Sequence, residues 1–298
     1  MNTTGADSTR VYGWHGAPGA KSVKPLSIMQ WSADHTSIRK TYRGFEPQQR
    51  QQRELAALEM AAHWGLLVPE VLGSGIRGEI AWIIIRAVPG VPSVARTDRN
   101  IEQYLNRAHA LTQRLGQLPV ILASGPGWRR DESEAPEGAG NYLLEQLSER
   151  CVRRDWWAEL SISMFQLETE PTVYLHGDLK PEHLIVDGDD LYVVDWEACG
   201  RGPAVCDYAD VVFHLIRDTL YDEAAHRQMP TGLLAGFGAS GPILAWRLIR
   251  WLDRRRPQDI DLAPPPDVFD LLAEDDPVRA CEKLARLVSV LQMAGVPR

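Results

Sequence analysis

The sequence predicts an α+β fold in two parts: a small β-rich amino-terminal part and a larger helical part carrying a small β-hairpin. Three observations predict it. Short apolar stretches broken by glycine and proline fill residues 10–43, and strand-like runs recur at 71–72 and 80–88. Helical apolar spacing takes over from about residue 98. Between them stands Pro89-Gly90-Val91-Pro92, a strong breaker. On this reading residues 1–88 form the first lobe, 89–92 a hinge and 93–298 the second lobe. A chain of 298 residues is long enough for two lobes with sizeable cores.

The elements follow in order. Gly13, Gly16, Gly19 and Pro25 punctuate the start, and Ser37 to Tyr42 reads as a strand. Residues 47–64 read as a helix: Pro47 suits a first turn, Leu55, Leu58 and Ala62 recur at helical spacing, and Gly65 stops it. Val71-Leu72 and Ile80 to Val88 read as strands. Residues 99–117 and 141–168 read as amphipathic helices, separated by a Gly/Pro/Glu-rich loop over 125–140. Val173 to Leu175, Leu184 to Val186 and Leu191 to Val194 are short strands. Helices resume from residue 206, interrupted by the Gly-rich 232–241 and by Pro264-Pro265-Pro266.

Composition excludes several classes. The net charge is −8, so a broad basic surface is absent and nucleic acid is not the expected partner. The longest apolar run, Ile80 to Ile85, is too short to span a bilayer. The opening MNTTGADSTR lacks the basic and apolar regions of a signal peptide, so a cytoplasmic protein is expected, with no membrane partner. Cys151, Cys199, Cys206 and Cys281 form no CxxC pair and do not read as a disulfide framework. Only five lysines occur against 27 arginines, so a lysine at a motif position carries weight.

The chemistry concentrates in Val173-Tyr174-Leu175-His176-Gly177-Asp178-Leu179-Lys180-Pro181-Glu182-His183-Leu184-Ile185-Val186. An apolar strand delivers Asp178 in a tight turn and a second strand follows. Val193-Val194-Asp195-Trp196-Glu197 then places another Asp at a strand end. Two carboxylates at the mouth of a hairpin suit phosphoryl transfer: one orients and deprotonates a hydroxyl, the other holds Mg²⁺ on the phosphates.

HGDLKPEH followed by VVDWE resembles the aminoglycoside phosphotransferase and choline kinase family, relatives of the protein kinases. The resemblance covers roughly residues 10–215 and implies a bilobal protein-kinase-like fold. It also implies ATP and Mg²⁺ as cofactors. By resemblance Asp178 is the catalytic base, Asp195 a metal ligand, and Asp207 a brace for the catalytic loop. Lys40 would hold the α- and β-phosphates with Glu54 as ion-pair partner, Glu59 being a second option. The linker Arg86-Ala87-Val88-Pro89-Gly90, with Arg86 and Val88 foremost, would bind adenine through backbone groups. Gly16 and Gly19 would belong to the phosphate-covering loop. Gly16 to Ser22 is not a Walker A motif, because Ala20 stands where glycine must precede the lysine.

Two positions set this chain apart. The family's second metal ligand is Asn, and here that place is His183, a poorer Mg²⁺ ligand than an amide oxygen. Lys180 lies in a DLKPE run close to that of Ser/Thr protein kinases, where such a lysine contacts the transferring phosphate. The expected activity is ATP-dependent phosphorylation of a small-molecule hydroxyl, aminoglycoside-like or of another metabolite. Two alternatives stay open. One is a kinase for Ser/Thr side chains of a peptide, working with a partner enzyme in natural-product maturation. The other is a nucleotide-binding scaffold without catalysis. Substrate choice is expected in residues 206–298 and the 125–140 loop, where Asp218, Asp222 and Glu223 would favour a polyamine-like acceptor.

Overall fold

Strands β1 (His15–Gly16), β2 (Ser27–Trp31), β3 (Ser37–Tyr42), β4 (Val71–Arg77) and β5 (Ile80–Arg86) form one antiparallel sheet, ordered β1-β2-β3-β5-β4. The computed structural model describes residues 15–16, 27–44, 46–93, 98–118, 138–221, 231–255 and 265–293. The chain divides into two compact units, Met1–Pro89 and Gly90–Arg298, the first built on this sheet. Gly13, Gly19, Asp222, Glu223, Pro264 and residues 125–137 lie outside the described residues.

In the first unit a single helix, α1 (Pro47–His63), covers the sheet. Its inward face is mixed: Ala57, Leu58 and Ala61 pack, while Arg50, Gln51 and Glu54 are buried as polar groups. Each of these has a partner on the sheet side. Gln51 donates Nε2–H to the carbonyls of Gly75 (3.1 Å) and Trp82 (2.7 Å). Arg50 donates to the carbonyl of Arg43 at 3.1 Å and lies over the Tyr42 ring. Such bonds give buried polar side chains the partners that burial would otherwise deny them.

The second unit is mainly helical. Its helices are α2 (Asp98–Gly116), α3 (Ala139–Glu145), α4 (Glu149–Val152), α5 (Trp157–Phe165), α6 (Val205–Tyr221), α7 (Thr231–Ala235), α8 (Gly241–Arg255), α9 (Pro265–Leu272) and α10 (Pro277–Met293). α6, α8 and α10 pack together, burying Val211, Val212, Phe213, Trp246, Leu248, Leu284 and Leu287. Two small sheets complete it: β7 (Thr172–Leu175) pairs with β10 (Gly200–Pro203), and β6 (Val91–Pro92) joins the hairpin of β8 (Leu184–Asp187) and β9 (Asp190–Val193). All four cysteines are buried and unbridged. Among the described residues no helix is long and apolar enough to cross a membrane.

Three expectations change. Val91 and Pro92, expected in a hinge, are a strand hydrogen-bonded to β8 in the second unit. Gly90 permits this: it adopts φ +96°, and a Cβ there would lie 2.2 Å from the Val186 carbonyl. The single helix expected over 141–168 is three, α3, α4 and α5. The break falls at Ser148, whose N–H donates to Asp253 Oδ2 at 2.8 Å and whose hydroxyl donates to Oδ1. That bond reaches 105 residues along the chain, beyond any local pattern. Finally, Gly200–Pro203, where no element is expected between the strand ending at Val194 and the helices from residue 206, is the strand β10.

Asp253 is buried, so its removal strands two donors at the α3–α4 break. Asp253→Ala is expected to destabilise the second unit by about 2–3 kcal/mol. That corresponds to a melting temperature lower by roughly 4–10 °C. A melting temperature within a degree of wild type would show that the break forms without this bond.

Candidate active site

In the second unit, β7 ends at Leu175 and runs into His176-Gly177-Asp178. The turn depends on Gly177, at φ +78°, where a Cβ would stand 2.1 Å from the carbonyl oxygen of Ala198. The turn's three backbone N–H groups and the Asp178 carbonyl all have partners. The N–H groups of His176 and Gly177 donate to the two oxygens of Asp207, at 2.8 and 2.9 Å. The Asp178 N–H reaches His176 Nδ1 at 3.4 Å, and the Asp178 carbonyl accepts from His183 Nδ1 at 2.8 Å. His176 Nε2, the nitrogen left to carry the proton, meets the Val194 carbonyl at 3.1 Å. His176 packs against Trp196, and burial, with His183 nearby, pushes its pKa down to about 4. It is a neutral, structural histidine.

Asp207 opens α6 and is buried. Burial and the neighbouring Asp210 push its pKa up to about 7, against the pull of the two backbone N–H donors.

Four expected site residues come together here. Asp178 Oδ2 lies 3.2 Å from Lys180 Nζ and 3.9 Å from His183 Nδ1. His183 Nε2 lies 3.0 Å from Asp195 Oδ2. Ligand-type atoms of Asp178, His183 and Asp195 all fall within 4.8 Å of one another. Asp195 adopts the left-handed conformation at φ +67°, which Asp tolerates better than most residues. The Val194 N–H bonds the His183 carbonyl at 3.0 Å, fastening the end of β9 to the start of β8. Burial alone would raise the Asp178 carboxyl, but Lys180, a His214 hydrogen bond and His183 outweigh it and hold it well below the ordinary value. Burial alone would lower Lys180, but Asp178 and Glu182 prevail and raise it.

In the first unit, Lys40 and Glu54 meet as expected. Lys40 Nζ lies 2.6 Å from Glu54 Oε2, both side chains are buried, and Tyr42 donates its hydroxyl to the same oxygen at 2.6 Å. Glu59, the second option, is exposed on the outer face of α1. The Arg86 N–H bonds the Glu70 carbonyl (2.8 Å), and its side chain pairs with Glu70 in the open. The next N–H, of Ala87, bonds the Thr36 carbonyl. Gly16 pairs with Gln30 through β1, and Val88 lies just past the end of β5.

Three further groups touch this centre and went unread in the sequence. His214 on α6 places Nε2 3.3 Å from Asp178 Oδ1. Arg247 on α8 lies 3.1 Å from the same His214 nitrogen and is bonded through Nε to the buried Asp210. The available signal was a polar stripe: Asp207, Asp210 and His214, at i, i+3 and i+7, share one face of an otherwise apolar helix.

Gly177→Ala and Gly188→Ala separate the two demands on the loop glycine. Both have left-handed φ, but a Cβ at Gly188 meets nothing within 4 Å. Gly188→Ala is expected to cost about 1–2 kcal/mol of stability. Gly177→Ala should cost clearly more, with a correspondingly lower melting temperature. Equal losses would show that the Ala198 carbonyl yields freely.

Comparison with known proteins gives a consistent picture. The sequence model of the phosphotransferase enzyme family matches residues 30–238. The aminoglycoside 3'-phosphotransferase of Streptomyces fradiae is 28% identical over 167 residues, 53% of this chain and 61% of that protein. The match therefore spans less than two thirds of the relative's length. Among solved structures, aminoglycoside phosphotransferase APH(3'')-Id from Streptomyces rimosus superposes with a TM-score of 0.53 at 17% identity, over 93% of each chain. A mutant of aminoglycoside phosphotransferase APH(4)-Ia, in a ternary complex with AMP-PNP and hygromycin B, gives a TM-score of 0.57 at 15% identity. It covers 92% of this chain and 93% of its own. At such identities these likenesses establish the fold, a bilobal kinase-like one with a β-rich first lobe and a helical second.

Proposed function

The chain belongs to the phosphotransferase enzyme family, and from that premise we propose that it moves the γ-phosphoryl group of ATP to a hydroxyl of a small cationic molecule of the aminoglycoside type. The observation that carries this reading is the convergence of Asp178, Lys180, His183 and Asp195 on one loop and hairpin. Phosphoryl transfer asks the protein for positioned charge more than for covalent chemistry. A carboxylate kept ionised beside an ammonium supplies a base and a cation within one contact.

The family implies ATP with Mg²⁺, and the residues present fit a divalent cation. His183 gives its Nδ1 proton to a backbone carbonyl, so its Nε2 lone pair faces the Asp195 carboxylate at 3.0 Å. Two acceptors so close repel unless a proton or cation joins them. Two ligands ~2.1 Å from an octahedral ion and at right angles stand ~3.0 Å apart. His183 and Asp195 are therefore the residues that would hold it. When bound, such an ion offsets the charge of the phosphates and orients the transferred group. Asp178 accepts the proton of the acceptor hydroxyl as its oxygen attacks phosphorus. Lys180 offers its charge to the transferring group. Lys40, fixed by Glu54, holds the α- and β-phosphates. Gly16, at the end of β1, would begin the segment that covers the phosphates. Adenine contacts come from backbone groups near Val88, since the Arg86 N–H is already bonded.

A cationic acceptor is favoured by what similar proteins are named for. Of the acidic groups near the loop, Asp218 is already paired with Arg217 at 2.7 Å. Glu182 lies 3.7 Å from Lys180 and is half exposed. Proteins similar to this chain are named for aminoglycosides. Peptide acceptors, the alternative drawn from the DLKPE run, gain no such support.

The reading is tested by transfer from labelled ATP across a panel of aminoglycosides and Ser/Thr peptides. Asp178→Asn should lower kcat about 10²- to 10⁴-fold with little change in KM for ATP. Lys40→Met should raise KM for ATP about 10- to 100-fold. ATP binding without phosphate transfer to any acceptor or to water would leave the scaffold reading standing instead.

The imidazole at position 183 also sets a metal preference. Mn²⁺ accepts nitrogen ligands more readily than Mg²⁺. Mn²⁺ should bind the tighter, and His183→Asn should narrow the gap about tenfold. Mn²⁺ binding followed by its EPR signal, with Mg²⁺ as competitor, measures this without any turnover. An unchanged ratio would remove His183 from the metal site.

A further inference from the structure

Asp178 has a contact that no loop or hairpin residue supplies. His214 Nε2 lies 3.3 Å from Oδ1, while Lys180 lies 3.2 Å from Oδ2. The two carboxylate oxygens are thus divided between two partners. His214 is buried, on the same face of α6 as Asp207, two turns further along. One helix therefore holds the loop twice: Asp207 takes its backbone N–H groups, and His214 meets its side chain.

The hydrogen on His214 can be assigned from its surroundings. Arg247 Nη2 stands 3.1 Å from the same Nε2, and a guanidinium can only donate. One nitrogen cannot accept from Arg247 and donate to Asp178 together. An ionised carboxylate decides the contest, because a bare lone pair facing it is repelled while an N–H forms a charge-assisted bond. Arg247 is meanwhile bonded to Asp210 through Nε. His214 Nδ1 has no hydrogen-bond partner among the described residues. The Nε2–H tautomer follows.

We propose that His214 is the positioning residue for the base: its Nε2–H fixes Asp178 Oδ1 and so sets the direction in which the carboxylate meets the acceptor hydroxyl. The role rests on the phosphotransfer reading above. It differs from the roles of Lys180 and His183 in coming from the helical core rather than from the loop itself. Arg247, held by the buried Asp210, lies beside the imidazole and presents its charge to the same region without accepting its hydrogen.

Two variants and one spectrum test this. His214→Phe keeps a ring of similar size and removes the donor. His214→Gln restores an N–H at similar reach. His214→Phe is expected to lower kcat about 10- to 100-fold, the cost of a base misplaced by about an ångström. KM for ATP and melting temperature should stay near wild type, and His214→Gln should recover most of the loss. Ring ¹⁵N spectra of the full chain should show His214 as the Nε2–H tautomer, with shifts that move in Asp178→Asn. The proposal is overturned if His214→Phe keeps kcat within about twofold, if Gln does no better than Phe at equal stability, or if the spectrum shows the proton on Nδ1. If wild type transfers no phosphate at all, the phosphotransfer reading fails on its own, and the spectrum still decides the hydrogen bond.

Discussion

The Asp207 carboxylate holds the His176-Gly177-Asp178 loop in shape. It accepts from two consecutive backbone N–H groups, which is possible only because Gly177 turns the chain through a left-handed conformation. Beside that clasp the Asp178 N–H and carbonyl also have partners, both histidine ring nitrogens. Burying a carboxylate is costly, and Asp210 adds repulsion. The cost is offset by the N–H donors and by Arg250. A buried carboxylate held by fixed dipoles does not relax when charge moves nearby, which is the property a site for charge transfer needs.

That rigidity passes to the reacting groups. Asp178 is anchored through its backbone by His176 and His183 and through its carboxylate by Lys180 and His214. His183 in turn faces Asp195, whose position is set by the left-handed turn at the end of β9. The two ring nitrogens of His183 therefore act differently, Nδ1 gripping the loop and Nε2 facing the second carboxylate. An amide side chain at this position could supply an oxygen to a metal, but it could not fix both partners with one rigid plane. The imidazole at this position thus couples the start of β8 to the end of β9.

Much of this was legible in the sequence, and the parts that were not share a cause. Strand β3, helix α1 and the β8–β9 hairpin are local patterns with clear stops, and they fall where periodicity and turn residues place them. The Asp178 and Asp195 positions were legible because each ends an apolar strand. The α3–α4 break was hidden because it depends on Asp253, far away in sequence. β10 was hidden because a Gly/Pro-rich stretch has little strand propensity, and it pairs only because β7 offers it an edge. His214 lay in plain view as part of a polar stripe, yet a stripe of Asp207, Asp210 and His214 says only that one helix face meets polar partners. Which partners they are depends on the packing of α6 against the loop and α8.

The distribution of cations has a physical logic of its own. Arginine outnumbers lysine more than fivefold in this chain, yet the two buried lysines among the described residues are Lys40 and Lys180. Arg247 is also buried, where its planar fork faces both Asp210 and His214. A guanidinium suits that setting because several donors can be satisfied in one plane and its charge stays fixed. At Lys40 and Lys180 the need is different. Lys40 lies against Glu54, and Lys180 lies between Asp178 (3.2 Å) and Glu182 (3.7 Å), so each compact ammonium meets carboxylate oxygens without the planar fit that a guanidinium requires. In a sequence that otherwise prefers arginine, these buried lysines stand where a point charge meets carboxylates, and Arg247 stands where a planar fork is filled from two sides.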